Sequence, residues 1–249
     1  MISAVALPAT PEVQPGDELA ELLLAAAQPP AALGEGDVLV VAHKVVSKAE
    51  GRLVDLATVV PGDRARALAF AHGKDARMVQ VVLDESEELL RAQRGVIIAR
   101  THHGFVCANA GVDASNAPSD NTVVLLPRDP DASARGLRAA LRERGVAPAV
   151  VITDSFGRAW RHGQCDVAIG CAGLHPLEDW RGRHDSRGRE LQATWIAVAD
   201  EAAAAADLVR SKASREPAVV VRGLERHVTA DDGPGALALV RPRDEDLFP

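Results

Sequence analysis

Apolar and polar positions along the chain follow two periods, short β-branched runs and longer amphipathic segments, and the two kinds interleave. Residues 149–152 (AVVI) form a buried-strand pattern that gives way to Thr153, Asp154 and Ser155, so an acid and two hydroxyls stand at a strand exit. A polar loop over 157–164 follows, carrying Arg158, Trp160 and Arg161, and a second apolar run over 167–172 returns. Further strands are predicted over 2–7, 38–46, 95–100, 122–126, 191–198 and 218–221. Helical spacing covers 18–27 with Asp17 as N-cap, 63–72 ended by Gly73, 75 to about 90, 131–145, and an alanine-rich 200–212. The 131–145 helix takes Asp131 or Ser133 as cap and turns its basic residues to water; the 200–212 helix places acids first and bases last. Residues 53–60 read as loop, 175–190 as a mobile surface excursion, and the tail from 231 as peripheral. No repeat or low-complexity linker interrupts the pattern. The expected architecture is one mixed α/β (α+β) domain over 1–249, with two interleaved lobes.

Composition narrows the function classes. Hydrophobic residues make up 47% of the chain and charged residues 25%, enough to bury a substantial core. A formal charge of -7 argues against a general nucleic-acid surface but leaves room for a local basic patch facing a phosphorylated ligand. No apolar stretch reaches membrane-spanning length and the N-terminus lacks the features of a signal peptide, so a cytoplasmic protein with no membrane partner is expected. Three cysteines, an odd number, argue for reduced thiols, and His162, Cys165 and Cys171 lack the spacing of a zinc ribbon.

Three polar groupings could carry chemistry. Lys48, with Lys44 before it, leaves the 38–46 strand where a cation can reach a phosphate. The segment 107–116 (CANAGVDASN) offers Asn109, Asp113, Ser115 and Asn116 in a stretch of low helix and strand propensity, which suits a ligand loop and equally an Asx turn. Asp113, Asp154 and Ser155 are hard oxygen donors of the kind magnesium and manganese select when a nucleotide supplies the remaining ligands. With Lys48, Arg158 and Arg161 they make up the parts of a triphosphate site; a solvated hairpin tip explains the arginine loop as well. The chain has no GxxxxGK[ST] loop, no GxGxxG after the first strand and no protein-kinase signature. Phe156 occupies the place of the second acid in an aspartate-nucleophile phosphatase.

Taken together, TPEVQPGDELAELL, GDVLVVAHKVVSKAEGR, CANAGVDASN, ITDSFGRAWRHGQCDVAIGCAGL and DLVRSKASREPAVVVRG resemble the coenzyme F420-0:L-glutamate ligase family over nearly the whole chain. The family includes stand-alone archaeal and bacterial enzymes and the N-terminal domain of longer mycobacterial ones. The resemblance implies a GTP-dependent ligase that uses two divalent ions, Mg2+ or Mn2+, with K+ as a further ion. It would add L-glutamate to coenzyme F420-0, and then further γ-linked glutamates, through an acyl phosphate. Position by position, it makes Asp113 and Asp154 ligands of one metal and Ser155 a ligand of the second, where relatives often carry Thr. Asp113, Asp154 and Lys48 become the catalytic set. Thr10, Pro11, Glu12, Val13, Lys48 and Asn116 become GTP contacts, together with His43, where some relatives have Ser, and Lys212, where archaeal members tend to have Gln. An intertwined homodimer is also implied, and no C-terminal flavin-binding, nitroreductase-like domain is expected. The alternative is a ligase or kinase of the same fold acting on another small carboxylic acid, with the 177–189 loop setting specificity.

Overall fold

The computed structural model describes residues 1–211 and 213–246. In chain order the elements are β1 (Ser3–Ala6), α1 (Leu19–Ala26), β2 (Val38–Ala42), α2 (His43–Ala49), β3 (Leu53–Asp55), α3 (Asp63–His72), α4 (Ala76–Asp84), β4 (Ser86–Gln93) and β5 (Val96–Thr101). After them come β6 (Val106–Ala108), β7 (Thr122–Val124), α5 (Pro130–Glu143), β8 (Ala149–Arg158), β9 (Arg161–Ala172), β10 (Glu178–Asp179), β11 (Trp195–Ile196), α6 (Val198–Val209) and β12 (Ala218–Arg222). The mixture of helices and strands is the α+β class expected from the pattern.

The central sheet runs β1-β12-β2-β8-β9, with β2 and β8 parallel and every other neighbouring pair antiparallel. Its middle strands are covered on both faces, which explains their unbroken apolar runs: Val38–Val41, 149–152 and 218–221 are fully buried. On one face Leu23 of α1 and Leu137 and Leu141 of α5 pack with Leu39, Ile152 and Val220. On the other, Ala199, Ala202 and Ala206 of α6 meet Val38, Val40, Val151 and Val219. The short alanine side chains let α6 lie close to the sheet. Gly170 on β9 serves the same end on the opposite face, since a Cβ there would stand 2.2 Å from the Pro130 carbonyl oxygen at the start of α5.

Between α2 and α5 the chain builds a further layer. The β4-β5-β6 sheet and the β3-β7 pair enclose Ala65, Val79, Val82, Ile97, Ala99 and Val123 in a core of their own with α3 and α4. Among the described residues no helix is long and apolar enough to cross a membrane.

Several elements differ from the sequence reading. The 38–46 strand stops at Ala42, and His43–Ala49 is helical; buried His43, Val46 and Ser47 follow helical spacing, so the valine pair belongs to a helix face. Lys44 and Lys48 therefore stand on successive turns of α2. The helix expected to run from 75 to about 90 ends at Asp84, because Ser86–Gln93 pairs with β5 and this tertiary pairing overrides the helix propensity of its Glu and Leu residues. Residues 153–158 continue β8 where a loop was expected, and only Ala159 and Trp160 turn the chain into β9. Residues 53–60 contain β3 and a 3-10 turn, and of the strand expected over 191–198 only Trp195–Ile196 forms.

The N-cap of α5 is Asp129, whose side chain accepts the Ala132 N–H, while Asp131 is buried and accepts N–H bonds from Cys171, Ala236 and Leu237. Arg138 is likewise buried, against the expectation of a helix face of solvated bases; it donates to the Pro148, Thr229 and Asp231 carbonyls and pairs with Asp232. These two side chains dock the segment after 228 and bury Ala236, while most of residues 231–246 stay at the surface as expected. Glu18, rather than Asp17, precedes α1; the Asp17 carboxylate accepts the Gln14 N–H. At the end of α6, Arg210 leaves the helix as its C-cap and turns inward, so the helix does not close on solvated bases.

Candidate active site

The parallel strands β2 and β8 end side by side, Ala42 opposite Thr153, and ligands of sheet proteins gather at such carboxyl ends. From there β2 passes directly into α2, which carries His43, Lys44 and Lys48, while β8 continues through Asp154 and Ser155. The β8–β9 register slips at this point, from Ile152 opposite Gly170 to Thr153 opposite Ala168. An extra residue on β9 therefore sits next to the site, where bulges commonly re-aim side chains.

A cleft of about 660 Å³ opens over these strand ends. Thr10, Pro11, Glu12 and Val13 form one wall, and α2 contributes His43, Lys44 and Lys48. Asn116, Asp154 and Ser155 complete the set expected from the sequence. Asp113 does not line the cleft itself but stands behind Lys44, whose Nζ lies 2.7 Å from its Oδ2. Lys212 lies outside the described residues. Arg158, Trp160 and Arg161 occupy the exposed tip of the β8–β9 hairpin, away from the cleft lining, and Arg158 donates back to the His162 and Gly163 carbonyls.

Each charged group has a defined neighbour. Lys48 donates to the Glu12 carboxylate and, at 2.7 Å, to the Asn116 carbonyl, so one buried ammonium ties the 10–13 wall to the 107–116 loop. The Asp113 carboxylate accepts both the N–H (2.7 Å) and the hydroxyl (2.9 Å) of Ser115, an Asx turn that coexists with the Lys44 pair. Burial pushes the Asp113 pKa up, but Lys44 and the Ser115 bonds outweigh it and hold the carboxyl below its ordinary value. The same balance governs Asp154: burial raises its pKa, and His43, the Ser155 N–H and Lys44 bring it lower than usual. His43 is buried, with Nδ1 3.4 Å from Ser47 Oγ; its Nε2 lies 3.2 Å from Asp154 Oδ1 without hydrogen-bond alignment.

Two residues that sequence reasoning did not single out complete the floor of the cleft. Asp166 on β9 accepts hydroxyl bonds from Ser155 (2.6 Å) and Thr153 (3.0 Å), and Arg210 pairs with it at 2.5 Å. A polar residue at the head of an apolar strand was the visible signal for Asp166. Arg210 lay within a segment already singled out, but nothing there distinguished it from its neighbouring bases.

The donor set suits hard cations. Among the described residues no group of three or more His, Cys, Asp or Glu side chains forms a closed metal cage. Asp154 and Ser155 instead line the cleft with a carboxylate and a hydroxyl, the hard oxygen donors that magnesium or manganese accepts when phosphates provide the rest, and the Asp113 carboxylate is separated from them by its pair with Lys44.

The F420-0:Gamma-glutamyl ligase family matches residues 9–223, a span that includes every element of the cleft. The chain belongs to this family. It is 47% identical to the coenzyme F420:L-glutamate ligase of Methanopyrus kandleri over 245 residues, covering 97% of this chain and 95% of that protein. The protein of the same name from Methanothermobacter thermautotrophicus is 43% identical, covering 99% of this chain and 98% of its own length. That from Methanocaldococcus jannaschii is 41% identical over 216 residues, 86% of this chain and 85% of that protein. The chain is thus a member of a ligase family, matched across both the central sheet and the inserted layer.

Proposed function

We propose that the protein is a GTP-dependent ligase that joins L-glutamate to coenzyme F420-0, and further glutamates through γ-linked amides, by way of an acyl phosphate. The observation that carries this reading is the convergence of Lys48, Lys44 and Arg210 with Asp154 and Ser155 at one cleft, in a chain whose family is named for this ligation.

A carboxylate is a poor electrophile, so forming an amide needs an activated leaving group. Transfer of the γ-phosphoryl group of GTP to the acceptor carboxylate provides it; the glutamate amine then attacks the carbonyl carbon, and inorganic phosphate leaves with the electron pair of the broken C–O bond. Lys48 and Arg210 would face the negative charge that accumulates as phosphate and carboxylate approach. The wall formed by Thr10, Pro11, Glu12 and Val13, with His43 and Asn116, would bind the rest of the nucleotide. Asp113, Asp154 and Ser155 would hold two divalent ions, Mg2+ or Mn2+, which would neutralise phosphate oxygens when bound. The depressed pKa of both aspartates keeps them ionised and able to ligate well into the acid range. A homodimer acting in the cytoplasm belongs to the same reading.

The test is direct. Purified protein incubated with coenzyme F420-0, L-glutamate, GTP and Mn2+ should yield product heavier by whole glutamyl residues, with release of one phosphate per residue added. Absence of any such increment, with GTP consumed only when a different carboxylic acid is supplied, would overturn the choice of acceptor. Light scattering on the same preparation checks the dimer.

A further inference from the structure

We propose that Asp166 is a positioning residue that joins the metal side and the nucleotide side of the cleft, fixing the Ser155 hydroxyl and the Arg210 guanidinium together. The inference rests on the ligase reading and adds to it a residue that touches neither substrate nor ion.

Asp166 is 1% exposed and stands directly opposite Ser155 in the β8–β9 ladder. A carboxylate so far from water persists only when its oxygens are fully partnered. Its partners here are side chains of the cleft: Oδ1 accepts from Ser155 Oγ at 2.6 Å, and Oδ2 accepts from Thr153 Oγ1 at 3.0 Å and Arg210 Nη2 at 2.5 Å. With both oxygens accepting from side chains of the cleft, Asp166 orients its neighbours.

Two consequences follow. A serine hydroxyl has a single proton, and Ser155 gives it to Asp166, which fixes the direction of that hydroxyl at the edge of the cleft. Arg210 is a planar fork, and anchoring Nη2 on Asp166 and, at 3.4 Å, on Thr153 fixes the direction of Nη1 as well. Nη1 is buried and, among the described residues, has no hydrogen-bond partner, although Arg210 lines the cleft. A buried guanidinium N–H left open in this way is a waiting donor for an anionic oxygen, phosphate or carboxylate.

The test uses the full chain and reads binding as well as turnover. Binding of a fluorescent GDP analogue is titrated with Mn2+ for wild type, Asp166→Asn, Arg210→Met and the double variant, and glutamate ligation is measured alongside. Asp166→Asn should weaken both Mn2+-dependent nucleotide binding and turnover by about 10- to 100-fold, the range typical of groups that orient metal ligands. Arg210→Met should weaken nucleotide binding by about tenfold, and the double variant should lose clearly less than the product of the two single losses, because the two groups act through one contact. Binding by Asp166→Asn within about twofold of wild type, or losses that simply multiply, would overturn the proposal. Should Asp166→Asn fail to fold, Arg210→Met alone decides it: unchanged nucleotide affinity refutes the fixed Nη1 donor. Wild type that binds nucleotide yet ligates no glutamate to F420-0 overturns the ligase reading alone, whereas wild type that binds no nucleotide overturns both.

Discussion

Lys44 Nζ lies 2.7 Å from Asp113 Oδ2, so a side chain from the first turn of α2 supplies positive charge to a carboxylate held on a separate loop. The same ammonium also acts on Asp154, across the strand ends. One lysine thus stabilises the ionised form of both acids assigned here to metal binding.

Replacing Lys44 by Met should raise the pKa of Asp113 and, by less, that of Asp154, because burial would then meet weaker opposition. The sign for stability follows. Both folded-state values are depressed, so their contribution is present above the ordinary aspartate value of 3.8 and fades as pH falls through the folded values. Lys44→Met should therefore be less stable than wild type at neutral pH, and the gap should narrow in acid. Carboxyl NMR titration and urea unfolding between about pH 2 and 7 check both statements; a gap that widens on acidification would contradict them.

Asp154→Asn should keep the fold and lose turnover by a factor on the order of 10² or more, since a neutral amide neither ligates a divalent ion well nor balances His43 and Lys44. Steady-state ligation with circular dichroism as the control for folding measures this. Near-normal turnover would remove Asp154 from the metal set.

Two glycines should respond in opposite directions. Gly170→Ala forces a methyl group against the Pro130 carbonyl and should destabilise by about 3 kcal/mol or leave the protein insoluble. Gly136, in the interior of α5, has nothing within 4 Å of an added Cβ, and Gly136→Ala should stabilise by about 0.5–1 kcal/mol. Chemical denaturation of the pair in parallel separates close packing from helix propensity.

Arg138→Met should cost about 3 kcal/mol, because it strips three carbonyls of their donor and leaves Asp232 without this partner. The loss should appear as a lower denaturation midpoint together with earlier proteolysis near 229–236. Unchanged protease resistance there would show that the segment is held by other contacts.

Much of the central sheet was legible because β2, β8 and β12 are buried on both faces and their apolar runs are unbroken. The errors arose where a local pattern admitted two periods. Val45 and Val46 suit a strand by composition, yet they lie in α2, and the Glu-rich stretch after Asp84 suits a helix but is claimed by pairing with β5. In the site, Lys48, Asp154 and Asn116 were found through motif and chemistry, whereas Asp166 and Arg210 were not, since their meaning comes from a pairing between β9 and the end of α6 that no spacing displays. Arg138 and Asp131 show the same gap: a base read as solvated and an acid read as a helix cap are both buried once the chain from 229 onward closes over them.

The outer position of β1 has a consequence for biosynthesis. Among the described residues β1 pairs with β12 alone, Ser3 opposite Arg222, and β12 in turn lies between β1 and β2. On a ribosome β1 must therefore wait, unpaired, until residue 222 has emerged, and β2, which gains β8 after residue 149, keeps its other edge bare for the same interval. The inserted layer, whose strands all pair within residues 53–124, is complete well before β12 emerges and can fold first, leaving the central sheet to assemble last.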